Sequence, residues 1–194
     1  MRIYGDSISG NCLKVKWTCD YLGRPYEWIE TQVMQAQSRT PEYLATFPAG
    51  QVPGVVLDDG RPLAQSNAII LHLAEGSDLI PADAYERARM LEWMFWEQYS
   101  HEPYVAVARF QVRFLGKAVA ELEPKVIERG LSALKRLDEA LEGRKYLVGD
   151  RLSLADVALV AYTREAEDGG FRLADYPNVQ AWIGGVEHAL KIPT

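Results

Sequence analysis

A change of pattern near residue 76 divides this 194-residue chain into two differently built parts. Before it, short strand-like runs alternate with short helical ones; after it, apolar residues recur at helical spacing almost to the end. Arg2-Ile3-Tyr4 and Tyr26 to Glu30 read as strands, and between them Cys12, Val15, Cys19 and Leu22 line one face of a helix, making a β-α-β unit. Gly54 to Leu57 and Pro62 to Ala64 read as an antiparallel pair joined at Asp59-Gly60, a strong two-residue hairpin signal. Ser66 then precedes Ala68, Ile69, Ile70, Leu71 and Leu73 as the N-cap of a helix ending near Gly76. The expected order is β-α-β-α-β-β-α.

Gly76 to Ala82 carries the Gly, Ser and Pro punctuation of a linker. The expected organisation is therefore an α/β domain over 1–76, a linker over 77–84 and an all-helical domain over 85–194. Asp83 with Glu86 forms a capping-box-like start for a helix carrying Met90, Trp93 and Met94, which Pro103 should kink or interrupt because proline lacks an N–H. A further long helix carries Leu122, Val126, Ile127, Leu131, Leu134 and Leu141 on one face and stops at Gly143, and a last one carries Val179, Trp182, Ile183, Val186 and Leu190. Leu152-Ser153-Leu154-Ala155-Asp156-Val157 has the form of a capping box with a hydrophobic staple: Ser153 caps through its hydroxyl, Asp156 accepts from the Ser153 N–H, and Leu152 packs on Val157. This motif reads as a folding device rather than a ligand site.

Composition narrows the function. A net charge of −6 disfavours a polyanionic partner over the general surface, so neither nucleic acid nor an anionic membrane is expected. The longest apolar run, Val157 to Tyr162, is far short of the ~20 residues needed to cross a bilayer. No apolar stretch follows the N-terminal Met1-Arg2, so a cytoplasmic location is expected. Cys12 and Cys19, seven apart in one helix, lie about 10 Å from each other and are expected to be thiols. His72, His101 and His188 are scattered, and no metal is expected.

Three features of the first part point to chemistry. Ser7-Ile8-Ser9-Gly10-Asn11-Cys12 joins a strand to a helix N-terminus, gathering backbone N–H groups, the positive end of the helix dipole and small polar side chains at a point that favours an anion, although Ser9 or Asn11 also fits a plain helix cap. Gln51-Val52-Pro53-Gly54 sets a proline at the mouth of a central strand, consistent with a cis Val52–Pro53 bond that leaves the Val52 backbone open to an extended peptide, or with an ordinary strand entry. Gln65-Ser66 opens the next helix, a second N-terminus suited to a carboxylate. Together they describe a site for a small peptide with carboxylates and a thiol.

With Ser9-Gly10-Asn11-Cys12, Gly50-Gln51-Val52-Pro53, Gln65-Ser66-Asn67-Ala68-Ile69 and the Leu152 to Asp156 motif in order and spacing, the chain resembles the cytosolic glutathione transferases over both parts, in particular the serine-type, bacterial theta-like members. The resemblance implies a thioredoxin-like first domain, a helical bundle after it, glutathione as co-substrate, a detoxifying transferase activity on small hydrophobic electrophiles, and a homodimer. It implies that Val52, before cis Pro53, pairs with the cysteinyl backbone of glutathione, that Gln65 and Ser66 bind the γ-glutamyl carboxylate, and that Gln51 and Arg39 lie near the glycyl end. Ser9 matches the hydroxyl that activates the thiol, with Ser7 as rival; Asn11 matches an asparagine that assists the thiolate in some bacterial members, and Tyr4 reads as a packed strand aromatic. An unperturbed thiol of pKa ~8.5 is only about 3% ionised at pH 7, and lowering that value by ~2 units takes about 2.7 kcal/mol. One hydrogen bond to the thiolate at roughly 1.5–3 kcal/mol, with a helix terminus adding ~0.3–1, suffices.

The same place holds Cys-x-x-Cys in thioredoxin-like oxidoreductases, and here only the second cysteine, Cys12, is present, on the inward stripe. A glutathione-dependent disulfide or peroxide reductase is therefore the alternative, and a non-catalytic glutathione- or ligand-binding protein a third. Tyr99, His101 and Tyr104, around Pro103, are the candidate electrophile pocket; His101 suits either a proton donor or a hydrogen-bonded packing residue. Trp93, Met94 and Phe95 read as core or dimer interface.

Overall fold

The computed structural model describes residues 1–193. They pack as two units, Met1–Ser77 and a second from Asp78 on. The first unit is an α/β layer built on a four-stranded sheet ordered β2-β1-β3-β4, with β1 at Arg2–Gly5, β2 at Glu27–Glu30, β3 at Gly54–Val56 and β4 at Pro62–Ala64. β1 runs parallel to β2 and antiparallel to β3, and β3 is antiparallel to β4. Helix α1 (Gly10–Tyr21) crosses between the parallel strands, α2 (Pro41–Thr46) precedes β3, and α3 (Ser66–Leu73) follows β4. This is the expected β-α-β-α-β-β-α order of a thioredoxin-like fold.

Strand alternation sorts the sheet's two faces. Ile3 and its register partner Val55 are fully buried, as are Cys12, Val15 and Cys19 of α1, which packs beside α3. On the other face Tyr4, Val56 and Ala64 meet Tyr43 and Phe47. The Tyr4 ring lies 6.1 Å from that of Tyr43 and 5.6 Å from that of Phe47, both edge-on, so Tyr4 is a packing aromatic as expected. Phe47 lies flat enough on β3 that a Cβ at Gly54 would fall 2.6 Å from its ring.

Two local expectations need correction. The hairpin between β3 and β4 turns on three residues, Asp58, Asp59 and Gly60: the Leu57 N–H donates to the Arg61 carbonyl at 3.0 Å and the Gly60 N–H to the Leu57 carbonyl at 2.9 Å. Gly60, at φ +85°, supplies the left-handed residue that lets a type I turn close such a loop. At α3 the cap position belongs to Gln65, not Ser66, and Gln65 has the unusual φ of +71°. Ser66 is the first helical residue and its hydroxyl bonds elsewhere.

In the second unit α4 (Ala84–Trp96) starts at Asp83, whose carboxylate accepts from the Glu86 N–H at 2.9 Å. Pro103 does interrupt this helix, but the chain stays helical. A π turn over Glu97–His101, closed by the Glu102 N–H on the Glu97 carbonyl, re-phases the backbone so that Pro103 falls in the first turn of α5 (Glu102–Arg109), where an N–H is dispensable. Helices α6 (Pro124–Ala140), α7 (Leu154–Thr163) and α8 (Pro177–Leu190) follow. On α6 the buried stripe is Val126, Gly130, Ala133, Leu134 and Leu137, whereas Leu131 is exposed; Gly130 sits inward because Phe171 fills the space where its side chain would be.

All ten residues of α7 are buried, as befits a helix apolar on every side. Asp156 anchors it. Its carboxylate accepts from the Ser153 N–H, the Ser153 hydroxyl, the Leu147 N–H and the Trp182 indole N–H, each at 2.9 Å. The expected capping box is present, with the Ser153 hydroxyl also donating to Asp156, and the motif ties α7 to the preceding loop and to α8.

Candidate functional site

The loop from β1 into α1 is built around Asp6, which is almost fully buried. Its carboxylate accepts from the Ile8 N–H at 3.1 Å and the Val33 N–H at 2.8 Å, and its carbonyl from the Ser9 N–H at 3.0 Å. Ser9 is held in extended backbone as the residue before α1, its carbonyl receiving the Cys12 and Leu13 N–H groups at 3.0 Å each. Its half-buried side chain does not cap the helix. The rival hydroxyl is differently placed. Ser7 directs both its N–H, at 3.0 Å, and its hydroxyl, at 3.1 Å, to the Glu30 carboxylate, which the Trp28 indole N–H also reaches at 2.7 Å. Burial opposes ionisation of Glu30, but the Ser7 and Trp28 hydrogen bonds outweigh it and hold the carboxyl below its usual range.

Cys12 is sealed on the inner side of α1. Burial pushes its thiol up to about 11, against the opposing pull of hydrogen bonds from the Ser9 side chain and from the Asp6 N–H, whose nitrogen lies 3.3 Å from Sγ. At neutral pH it is a protonated core thiol, not a nucleophile.

The Val52–Pro53 bond is cis. Among the described residues no hydrogen bond engages the Val52 backbone N–H or carbonyl, while the Tyr43 hydroxyl steadies the preceding residue by donating to the Gln51 carbonyl at 2.6 Å. Arg39, at the end of a short 3₁₀ turn, reaches the same loop: its Nη1 lies 3.4 Å from the Ala49 carbonyl. A Cβ on Gly50 would sit 2.6 Å from that guanidinium, which can swing aside, but Gly50 has φ +63°, so the backbone favours glycine there. Arg39 is thereby brought next to Gln51.

The two helix N-termini are joined directly. Ser66, 5% exposed, donates its hydroxyl to Asn11 Oδ1 at 3.0 Å across 55 residues of sequence. The same oxygen receives the Lys14 ammonium at 2.8 Å. Lys14 has no exposed surface, and sequence reasoning missed it. The available signal was its position three residues after Asn11, beside the apolar stripe, where Thr18 one turn on is buried too. Ser9, Asn11, Val52, Gln65 and Ser66 thus belong to the α1 and α3 N-termini and to the mouth of β3, which is paired with β1 at its Gly54 end. That end of the sheet offers helix N–H groups for an anion, unused strand backbone for a peptide, and hydroxyl and amide donors.

The pocket candidates lie in the second unit. Tyr99 is 84% exposed, Tyr104 is half-buried, and His101 is completely enclosed, its Nε2 3.1 Å from the Thr163 hydroxyl. Trp93 and Met94 are buried core residues, whereas Phe95 is 73% exposed and so is not part of the core. Among the described residues no group of three or more His, Cys, Asp or Glu side chains is placed to hold a metal ion, and no helix is long and apolar enough to cross a membrane.

A thioredoxin-like sheet with a cis-proline loop, followed by a separate helical unit, defines the class of two-domain glutathione-linked proteins. The chain matches the family models described as glutathione S-transferase, N-terminal domain, over residues 3–79, and glutathione S-transferase, C-terminal domain, over residues 93–188, and it belongs to the cytosolic glutathione S-transferase family. It is similar to a glutathione S-transferase of known structure from Pseudomonas fluorescens, at 44% identity and a TM-score of 0.92, covering 96% of this chain and 94% of that one. It is 32% identical to glutathione S-transferase 1 of Zea mays over 96% of this chain and 91% of that protein. It is also 31% identical to the disulfide-bond oxidoreductase YfcG of Escherichia coli, over 81% of this chain and 76% of that protein.

Proposed function

We propose that this chain is a cytoplasmic glutathione transferase that binds glutathione in its first unit, ionises the thiol and adds the thiolate to small hydrophobic electrophiles, in the manner of serine-type members. The observation that carries the reading is the Ser66–Asn11 hydrogen bond of 3.0 Å, which joins the helix end suited to a carboxylate to the helix end suited to a thiolate. In this reading the γ-glutamyl carboxylate meets Gln65 and Ser66 at the α3 N-terminus. The cysteinyl backbone pairs with Val52 beside Pro53, as an added strand would. Gln51 and Arg39 take the glycyl end. Ser9 and Asn11 donate to the sulfur. Ser9 is preferred to Ser7 because Ser9 directly precedes α1 and its side chain meets a weak thiol acceptor, whereas the Ser7 hydroxyl is held by the Glu30 carboxylate.

The electrophile is assigned to Tyr99 and Tyr104 of the helical unit, while His101, enclosed and bonded to the equally enclosed Thr163, is a hydrogen-bonded packing residue. A second copy of the chain is the proposed partner, supported by the exposed aromatics Tyr85, Phe95 and Tyr99. Neither metal, nucleic acid nor membrane enters the scheme.

Titration calorimetry with reduced glutathione, followed by ultraviolet thiolate absorbance and turnover of a chloronitrobenzene, tests the reading. Binding with thiolate formation below pH 8 and conjugate production is expected; no heat on titration overturns it. Heat without thiolate absorbance would identify a non-catalytic binding protein.

A second reading, glutathione-dependent disulfide or peroxide reduction, draws support from the similarity to YfcG and from the sealing of Cys12, which leaves glutathione itself as the thiolate in such a reaction. Faster turnover of a glutathionyl mixed disulfide than of the chloronitrobenzene would select it.

A further inference from the structure

Lys14 stands out because a lysine ammonium without exposed surface has lost its hydration, and is retained only where polar groups replace the lost water. One group that does so is Asn11 Oδ1, at 2.8 Å, one turn earlier on α1. That oxygen also accepts the Ser66 hydroxyl, at 3.0 Å. A carboxamide oxygen has two lone pairs, and these two donors occupy them. Turning the amide over would set its NH₂ against an ammonium and a hydroxyl and strand a buried charge. Nδ2, on the other arm of the planar group, is therefore fixed as the donor arm.

We propose that Lys14 is a positioning residue for thiol activation: by holding Asn11 Oδ1 it locks the carboxamide with its NH₂ arm presented to the glutathione sulfur, in register with Ser66 on α3. The proposal rests on the reading that the sulfur lies at the α1 N-terminus. It differs from a packing role for Lys14, which would leave the thiol's acidity alone, and from a direct through-space charge effect, which would not depend on Asn11.

The experiment is a double-mutant cycle of Lys14→Met and Asn11→Ala, read as the pKa of enzyme-bound glutathione from thiolate absorbance against pH, with glutathione affinity measured by calorimetry. Methionine matches the lysine stem and removes the buried charge, a change that interiors commonly tolerate. Lys14→Met is expected to raise the bound thiol's pKa by about one unit, a tenfold loss of thiolate below that pKa, while glutathione affinity changes by less than roughly threefold. The double variant is expected to match Asn11→Ala alone. An unmoved pKa in Lys14→Met, or a double variant whose shift equals the sum of the two, overturns the proposal.

Should Lys14→Met fail to fold, Lys14→Gln decides. It removes the charge but keeps a terminal NH₂ able to donate to Asn11 Oδ1. A bound-thiol pKa close to the wild-type value is expected, and one raised by a unit or more overturns the proposal. Absence of any glutathione thiolate on the wild-type protein would instead defeat the underlying reading.

Discussion

The choice between two serines two positions apart turns on what holds each hydroxyl. Ser7 donates to the Glu30 carboxylate at 3.1 Å, whereas Ser9, the residue before α1, makes no cap bond and its side chain meets the Cys12 thiol, a weak acceptor. Ser9→Ala should raise the kinetic pKa of the glutathione thiol and lower kcat about 10–100-fold with little change in glutathione affinity, since one hydrogen bond to an anion is lost. Ser7→Ala should leave the pH–rate profile in place. A profile that moves with Ser7 and not with Ser9 would reverse the assignment. The two thiols make a separate prediction. Burial raises Cys12 to about 11 and Cys19 to about 12, so in the native protein neither should react with a disulfide reagent at pH 8, and both should on unfolding. A thiol whose folded pKa is raised contributes its full stability below the unfolded value of 9.0 and loses it as pH rises toward the folded one. Stability should therefore fall from about pH 9 to about 11 through Cys12 and to about 12 through Cys19, by up to ~1.4 kcal/mol per pH unit per thiol, and denaturant titrations of Cys12→Ala should show a shallower fall. The two helix ends and the cis-proline strand entry were legible from type and position, since such features leave local marks. Lys14 was not, because a lysine on a helix ordinarily faces water, and its enclosure is set by tertiary packing.

At the level of elements, the same residue type has opposite effects in two helices. Gly130 of α6 lies under Phe171, and a Cβ there would come within 2.3 Å of the ring, so Gly130→Ala should destabilise by about 1–3 kcal/mol through overpacking. Gly184 of α8 has nothing within 4 Å of such a Cβ, and Gly184→Ala should stabilise by about 0.5–1 kcal/mol by restricting the unfolded chain. Thermal or urea unfolding of the pair checks both signs. Asp156 tests a third mechanism. It is fully buried with four donors on it, so Asp156→Ala should cost about 3–5 kcal/mol by stranding the Trp182, Leu147 and Ser153 donors. The existence of this motif was readable from Ser153 and Asp156 three residues apart. Its reach to Trp182, 26 residues on, was not, because nothing local marks the partner.

For the molecule as a whole, Phe95 and Tyr99, 73% and 84% exposed on consecutive helical turns, together with Tyr85, leave aromatic surface that a single copy does not cover. Sedimentation should report a dimer, and Phe95→Glu should shift it toward monomer; a wild-type monomer at micromolar concentration would remove the proposed partner. The sequence by itself determined the division into an α/β part and a helical part, the order of elements, the interruption at Pro103, the capping motif and the family, because periodicity, turn residues and helix caps act over a few neighbouring positions. Only the tertiary structure decided that Asn11 bonds Ser66, that Arg39 covers Gly50, that Gln65 takes the cap with a positive φ, that Leu131 faces outward and that Lys14 is sealed inside. These depend on which distant segments the packing brings within hydrogen-bond reach, and a side chain's partner is chosen by that proximity, not by its place in the chain.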